Sequence, residues 1–155
     1  MKQKKHNTFT IKNRKAYHNY HVVETLECGL SLKGNEVKSI ASGMCNMNDA
    51  WCSVDDGQLI LHNMYVAKYE TTNSFDADTR RNRVLLAHKN EIRKLAQEAK
   101  KQGFTIIPLE IYWQRQYCKI KIALCKGKHN YDKRYSAKLQ TMKRDADKAS
   151  KSFNT

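Results

Sequence analysis

The sequence predicts a mainly β body, an antiparallel sheet closed on itself with helices inserted in its connections, followed by a basic C-terminal extension. Three observations carry this. Short segments alternate apolar and polar side chains and are rich in Val, Ile, Thr and Tyr, with Gly or Asp-Gly breaks between them. There is no βαβ alternation and no internal repeat. Positive charge gathers at the two ends: residues 1–19 carry six basic and no acidic side chains, and residues 126–155 carry nine basic and three acidic. The stretch between them is close to neutral, although the whole chain has a net charge of +14.

The chain has 155 residues, a one-domain length, and 40% of them are hydrophobic, enough for one core. About six short strands and two body helices then have to share a small body. Closure removes the exposed edges of such a sheet, so an OB-like antiparallel barrel is expected. Three regions follow: a flexible basic N-terminus at 1–12, the barrel at 13–128 and a basic tail at 129–155.

In order, residues 13–20, NRKAYHNY, carry Asn, Arg, Lys and His. These could reach phosphates or base edges, or form an ordinary helical turn leading into a strand. Residues 21–27 read as strand, Cys28-Gly29 as a turn or bulge, and 30–32 as renewed strand. Asn35 can cap a short helix that Gly43 ends. Its inner face would hold Val37, Ile40 and Ala41, leaving Glu36, Lys38 and Ser42 outward.

Residues 46–54 and 58–64 pair around the hairpin signal Asp55-Asp56-Gly57. Residues 67–83 read as a long loop ending in Arg80, Arg81 and Arg83, and loops of that length are usually functional or disordered. Residues 88–102 are the clearest helix, capped by Asn90, with Ile92, Leu95, Ala96 and Ala99 on one face and Gly103 at its end. Residues 104–112 are a buried strand in which Pro108, the only proline, marks an edge or bulge. Residues 117–125 alternate, with Cys118, Ile120, Ile122 and Leu124 inward and Lys119 and Lys121 outward.

Catalytic chemistry finds little support. The five cysteines include no C-x-x-C pair and are read as small buried hydrophobes, with no structural zinc and no cofactor. Phosphate-binding glycine loops are absent, and no histidine is joined by a motif to a nucleophile or metal. The first fifteen residues contain no apolar core of signal-peptide length, so a cytoplasmic protein is expected. A near-neutral body with cationic ends fits an anionic partner, and RNA is the partner expected here. A general RNA-binding or ribosomal protein with ends anchored in rRNA is the competing reading, and an RNA-acting enzyme a third.

The tail can be read as a conditional helix. Tyr135, Leu139, Met142, Ala146 and Ala149 form a thin apolar stripe at helical spacing, with Asp132 at the N-cap position. Lys and Arg occupy the remaining surface. An isolated helix of this kind is marginal in water, so the tail is expected to be mostly disordered alone and helical when bound. The other reading is a helix docked permanently on the barrel. Tyr131 would either stack on an unpaired base or pack the tail root onto the body.

Six stretches carry a family resemblance: NRKAYHNY, GLSLKGNEVKSI, HNMYVAKYE, LLAHKNEI, GFTIIPLEIYW and KIKIALCKGKHNYDKR. They run in order over nearly the whole chain, which resembles the SsrA-binding protein (SmpB) family, partners of transfer-messenger RNA in trans-translation. The resemblance implies an OB-type barrel that binds the tRNA-like part of that RNA. It implies a tail placed in the decoding centre and empty mRNA channel of a stalled ribosome, facing 16S and 23S rRNA. Elongation factor Tu and alanyl-tRNA synthetase are implied as partners acting through the RNA. By position, Asn13, Arg14, Lys15, His18 and Glu27, with Lys38 nearby, correspond to the RNA-facing barrel surface. Gly127, Lys128, Asp132, Lys133 and Arg134 correspond to the tail root, and Tyr131 to a residue that stacks in the decoding centre. Ala41, Met44, Lys68, Thr79 and Gln116 stand where the family usually has Arg, Lys, Pro, Pro and Gly. The two lost cations beside Lys38 imply either a weaker RNA role for that short helix or a different partner RNA.

Overall fold

The computed structural model describes residues 10–68, 79–101 and 103–153. Its elements are β1 (Ile11–Lys12), α1 (Arg14–Asn19), β2 (Tyr20–Leu30), α2 (Gly34–Ala41), β3 (Cys45–Asn46), β4 (Trp51–Asp55), β5 (Gln58–His62), β6 (Tyr65–Val66), β7 (Arg83–Leu86), α3 (Lys89–Ala99), β8 (Phe104–Gln114), β9 (Tyr117–Gly127) and α4 (Asn130–Phe153). Strands β8, β4, β5, β7, β2 and β9 follow one another around a ring, and β9 returns to β8. The expected closed antiparallel barrel is therefore present. β1 pairs with β8 at Ile11–Ile111, so the last residues of the expected flexible N-terminus are part of the sheet.

The sequence dictates the closing strands directly. β8 and β9 form a long hairpin whose turn contains Arg115 at φ 57°. Ile120, Ile122 and Leu124 alternate into the core, where burial of each is worth about 1.5–3 kcal/mol. The β8 register shifts between Pro108 and Glu110, the bulge that the lone proline signals. In the β4–β5 hairpin, Asp56 and Gly57 have φ 49° and 77°, the two left-handed positions that an Asp-Gly turn supplies. Four of the five cysteines behave as expected: Cys28, Cys52, Cys118 and Cys125 are buried, burial pushes the Cys28 and Cys118 thiols up to about 12, and Cys45 is half-buried.

Several boundaries differ, each for a local reason. Cys28 and Gly29 continue β2, and the bulge in that strand lies between Val22 and Glu24. Gly29 serves close approach instead, since a Cβ there would stand 3.2 Å from the Leu86 Cβ. The strand expected at 46–54 is split, because the Met47–Ala50 turn separates β3 from β4. His88, not Asn90, caps α3, and Glu91 reaches back to its backbone N–H. Residues 69–78 of the expected long loop lie outside the described residues. Its end is not a loop, because Arg83 opens β7.

The largest correction concerns α2. Val37 is 36% exposed, whereas Glu36, expected outward, is buried. Arg83, fully buried, is why. Its Nε donates to Glu36 Oε2 at 2.5 Å and its Nη1 to the Met64 carbonyl at 2.8 Å. Arg81 donates to Glu36 Oε1, and the Lys33 N–H does so at 3.0 Å. Burial alone would raise the Glu36 carboxyl, but Arg81, the Lys33 N–H and Arg83 together outweigh it and hold it below its ordinary value. Ile40 on the same helix has no exposed surface, so this ion pair seats α2 over the core.

Breaking a buried pair costs about 3–5 kcal/mol, so Glu36→Gln lowers the urea midpoint strongly, while Glu36→Met with Arg83→Met recovers much of the loss. Because the folded carboxyl titrates below its unfolded value, its stabilisation is full above about pH 4.3 and is lost as pH falls through the folded value. The gap between wild type and Glu36→Gln therefore narrows on acidification, as urea titrations at several pH values would show.

Candidate nucleic-acid interface

α1 rests on the outside of the barrel, on β8 and β9. Along β9, Lys119, Lys121, Ala123 and Cys125 point away from the core. α1 covers the last two, so Ala16, Ile107, Leu109, Ala123 and Cys125 form a small buried cluster separate from the main core, with Tyr20 packed against it. Asn13 fastens the helix there. It is 1% exposed. Its Oδ1 accepts from the Ala16 N–H at 3.2 Å, and its Nδ2 donates to the Met47 and Pro108 carbonyls at 3.1 and 2.8 Å. Its backbone N–H reaches the Leu109 carbonyl at 2.7 Å. The Asn13 side chain is therefore consumed inside the protein and is not on the RNA-facing surface where the sequence placed it.

Arg14, Lys15 and His18 are exposed on α1. Lys15 pairs with Asp49 at 3.3 Å, an exposed ion pair worth little by itself. Beyond α1 on the same outer face lies a row formed by Glu27 on β2, Lys121 on β9 and Glu110 on β8, where Lys121 reaches Glu110 at 3.6 Å. Tyr17 bridges helix and row: partial burial, then the Glu110 carboxylate, raise its phenol against the pull of Lys121. Burial and then Glu27 push Tyr112 up to about 12. The structure thus brings Arg14, Lys15, His18 and Glu27 onto one face. Lys38 is elsewhere: it is exposed on α2, which packs against β6 and the main core.

The tail root is tied to this face. Gly127 pairs with Tyr20 at the end of β9. The Lys128 N–H donates to the Asn19 carbonyl at 2.9 Å, and its Nζ to the Tyr17 carbonyl at 3.2 Å. Lys128 thereby satisfies the last carbonyls of α1, where a cation is electrostatically suited. α4 then runs from Asn130 to Phe153, so Asp132 lies inside its first turn rather than at the cap. Tyr135, Leu139 and Met142 are 56%, 48% and 59% exposed, so the apolar stripe is not docked on the barrel. Arg134, Lys138, Lys143, Arg144 and Lys148 are exposed around it, and Lys133 is half-buried. The side chains of Tyr131 and Asp132 lie outside the described residues.

Sequence reasoning missed one further feature here. Trp51 stacks on His62 with ring centroids 4.1 Å apart. Trp at an outward strand position was the available signal. Among the described residues, no group of three His, Cys, Asp or Glu could hold a metal ion, and no helix is long and apolar enough to cross a membrane.

A family model described as "SmpB protein" matches residues 10–152, from β1 to the end of α4. The chain belongs to the SmpB family. Similar proteins include the SsrA-binding protein of Staphylococcus epidermidis, 43% identical over 139 residues and covering 90% of this chain and 89% of that one. The SsrA-binding protein of Staphylococcus carnosus is 42% identical over 151 residues, with 97% of each chain covered. That of Carboxydothermus hydrogenoformans is 43% identical, covering 88% of this chain and 92% of that one. A solved structure described as "tmRNA-SmpB: a journey to the center of the bacterial ribosome" superposes with a TM-score of 0.67 at 39% identity, covering 78% of this chain and 85% of that chain. Family membership and barrel thus agree with the sequence reading.

Asn13→Asp separates the two views of Asn13. Aspartate still caps α1 but has no N–H for the Met47 and Pro108 carbonyls; Met47 keeps the Ala50 N–H at 3.0 Å, while losing both amide hydrogen bonds and bringing a carboxylate against two buried carbonyls costs about 1–3 kcal/mol. The melting temperature should fall by several degrees. A purely surface role would leave it unchanged.

Proposed function

We propose that this chain is a non-catalytic ribosome-rescue factor that binds the tRNA-like part of transfer-messenger RNA and delivers it to ribosomes lacking a downstream codon. The observation that carries this reading is the tail root. Lys128 fastens the start of a cationic helix to α1, so one short segment links the outer barrel face to an extension whose apolar side chains Tyr135, Leu139 and Met142 are exposed. Relatives named for SsrA binding, and a solved tmRNA–SmpB structure of the ribosome, support the choice of RNA.

In this reading Arg14, Lys15, His18 and Glu27 meet the folded RNA, with Asn13 holding them in place and Lys38 contributing from α2. The tail enters the decoding centre and the vacant mRNA channel. Gly127 and Lys128 set its direction, Asp132, Lys133 and Arg134 engage 16S rRNA, and Tyr131 stacks on a base. The exposed stripe and the thin apolar content make the helix marginal away from that site, and the channel wall supplies the anionic surface that stabilises it. Message already in the channel would clash with it. Elongation factor Tu and alanyl-tRNA synthetase act through the RNA, and the site of action is the cytoplasm.

Deleting residues 129–155 should leave affinity for the tRNA-like RNA within a few-fold while abolishing peptide tagging on stalled ribosomes. Equal loss of both would contradict the division of labour. Asp132→Ala with Lys133→Ala and Arg134→Ala should weaken ribosome engagement more than RNA affinity in solution, and RNA affinity should fall steeply with salt through counterion release.

A further inference from the structure

A cavity of about 370 Å³ opens between α1 and the start of β4, lined among others by Lys15, Asn19, Asn48, Asp49 and Trp51. It lies at the small end of ligand pockets, which run from about 300 to 1,000 Å³. That leaves room for one planar group and not for a duplex. We infer that it receives a single unpaired nucleobase of the bound RNA, stacked on the open face of Trp51, with guanine preferred.

The indole is prepared for this. His62 covers one face, nearly parallel at 16°, and Trp51 still keeps 46% of its surface exposed. His62 is itself held on both ring nitrogens: Nε2 lies 2.6 Å from the Ser53 hydroxyl and Nδ1 lies 3.1 Å from Asn82 Oδ1. With Nδ1–H donating to Asn82 Oδ1, the Ser53 hydroxyl donates to Nε2, and Asp55 Oδ2 lies 2.9 Å from that same hydroxyl. An exposed tryptophan held in one orientation by a stacked, doubly anchored imidazole offers its second face at little ordering cost. His62 acts here as a positioning residue. Base–aromatic stacking tolerates any base, so selectivity has to come from the polar wall. Asp49 Oδ1 accepts from Lys15 at 3.3 Å, and a carboxylate offers about four lone-pair positions, so both of its oxygens can still accept from a ligand. A carboxylate acceptor suits guanine, whose N1–H and N2 amino group are both donors, and does not suit uracil or adenine equally. Lys15 beside it is placed for the adjoining phosphate.

The inference rests on the reading that α1 faces RNA, and its test separates the two. The full-length chain with Trp113→Phe keeps Trp51 as its sole tryptophan, since the sequence has two. Heptauridylate and its variants with a central guanosine or adenosine serve as probes. The central guanosine should quench Trp51 fluorescence most and bind most tightly. Asp49→Asn should remove the preference of guanosine over adenosine. For the tRNA-like part of transfer-messenger RNA, followed by anisotropy, Trp51→Leu should weaken binding by about 5- to 150-fold, the equivalent of one stacked base, and Trp51→Phe should recover part of it. His62→Ala should weaken binding less and broaden the Trp51 emission response. Unchanged affinity in Trp51→Leu, or no guanosine-dependent quenching, overturns the base pocket. If Arg14→Glu still weakens binding in that case, the RNA-facing role of α1 stands. If it does not, that role fails as well.

Discussion

Closure of the barrel by β9 is the constraint on which the rest depends. This strand is hydrogen-bonded along both edges, to β2 on one side and β8 on the other. Its inward residues complete the core, and its outward residues make the seat for α1. Its last residue pairs with Tyr20 immediately after α1, so the strand that shuts the ring also decides where the tail leaves the body. One piece of backbone therefore couples core, outer helix and extension. A slip of one residue would turn the core side chains to solvent and move the tail root off α1 together.

Charge in this protein does two different jobs, and residue counts do not distinguish them. Arg81 and Arg83 look like the end of a basic loop, yet their guanidiniums hold Glu36 and seat α2. Arg14, Lys15 and His18 are exposed and face solvent on a helix fixed from beneath by an amide. Asn13 spends its hydrogen bonds on that anchoring. The polar residue with the strongest tie to the site is thus the one with almost no surface, a common arrangement where a short helix has to be placed accurately.

Strand alternation was legible wherever one face is buried and the turn chemistry is strong. The Asp-Gly hairpin, the bulge at Pro108 and the inward set on β9 all read directly from sequence. β7 did not, because its four residues begin with Arg83, a charged side chain at a core position. Periodicity cannot announce a buried guanidinium whose partner lies 47 positions away. The same distance problem hid Glu36. In the site, the exposed cations of α1 and the tail were legible as charge. The burial of Asn13, the Lys128 contacts to α1 and the Trp51–His62 stack were not, since each joins segments remote in sequence.

A rigid body and a marginal cationic helix joined at one anchored root would let a single small chain recognise a folded RNA and probe a vacant channel. Directed hydroxyl-radical probing from the tail tests this most directly. Four of the five native cysteines are buried, and burial also raises the half-buried Cys45 thiol to about 11, so a Met142→Cys variant can be labelled selectively with an iron chelate. On ribosomes stalled without a downstream codon, cleavage should fall on small-subunit rRNA lining the message path and should vanish when message fills it. Cleavage confined to the transfer-messenger RNA, or unchanged by message, would contradict the account.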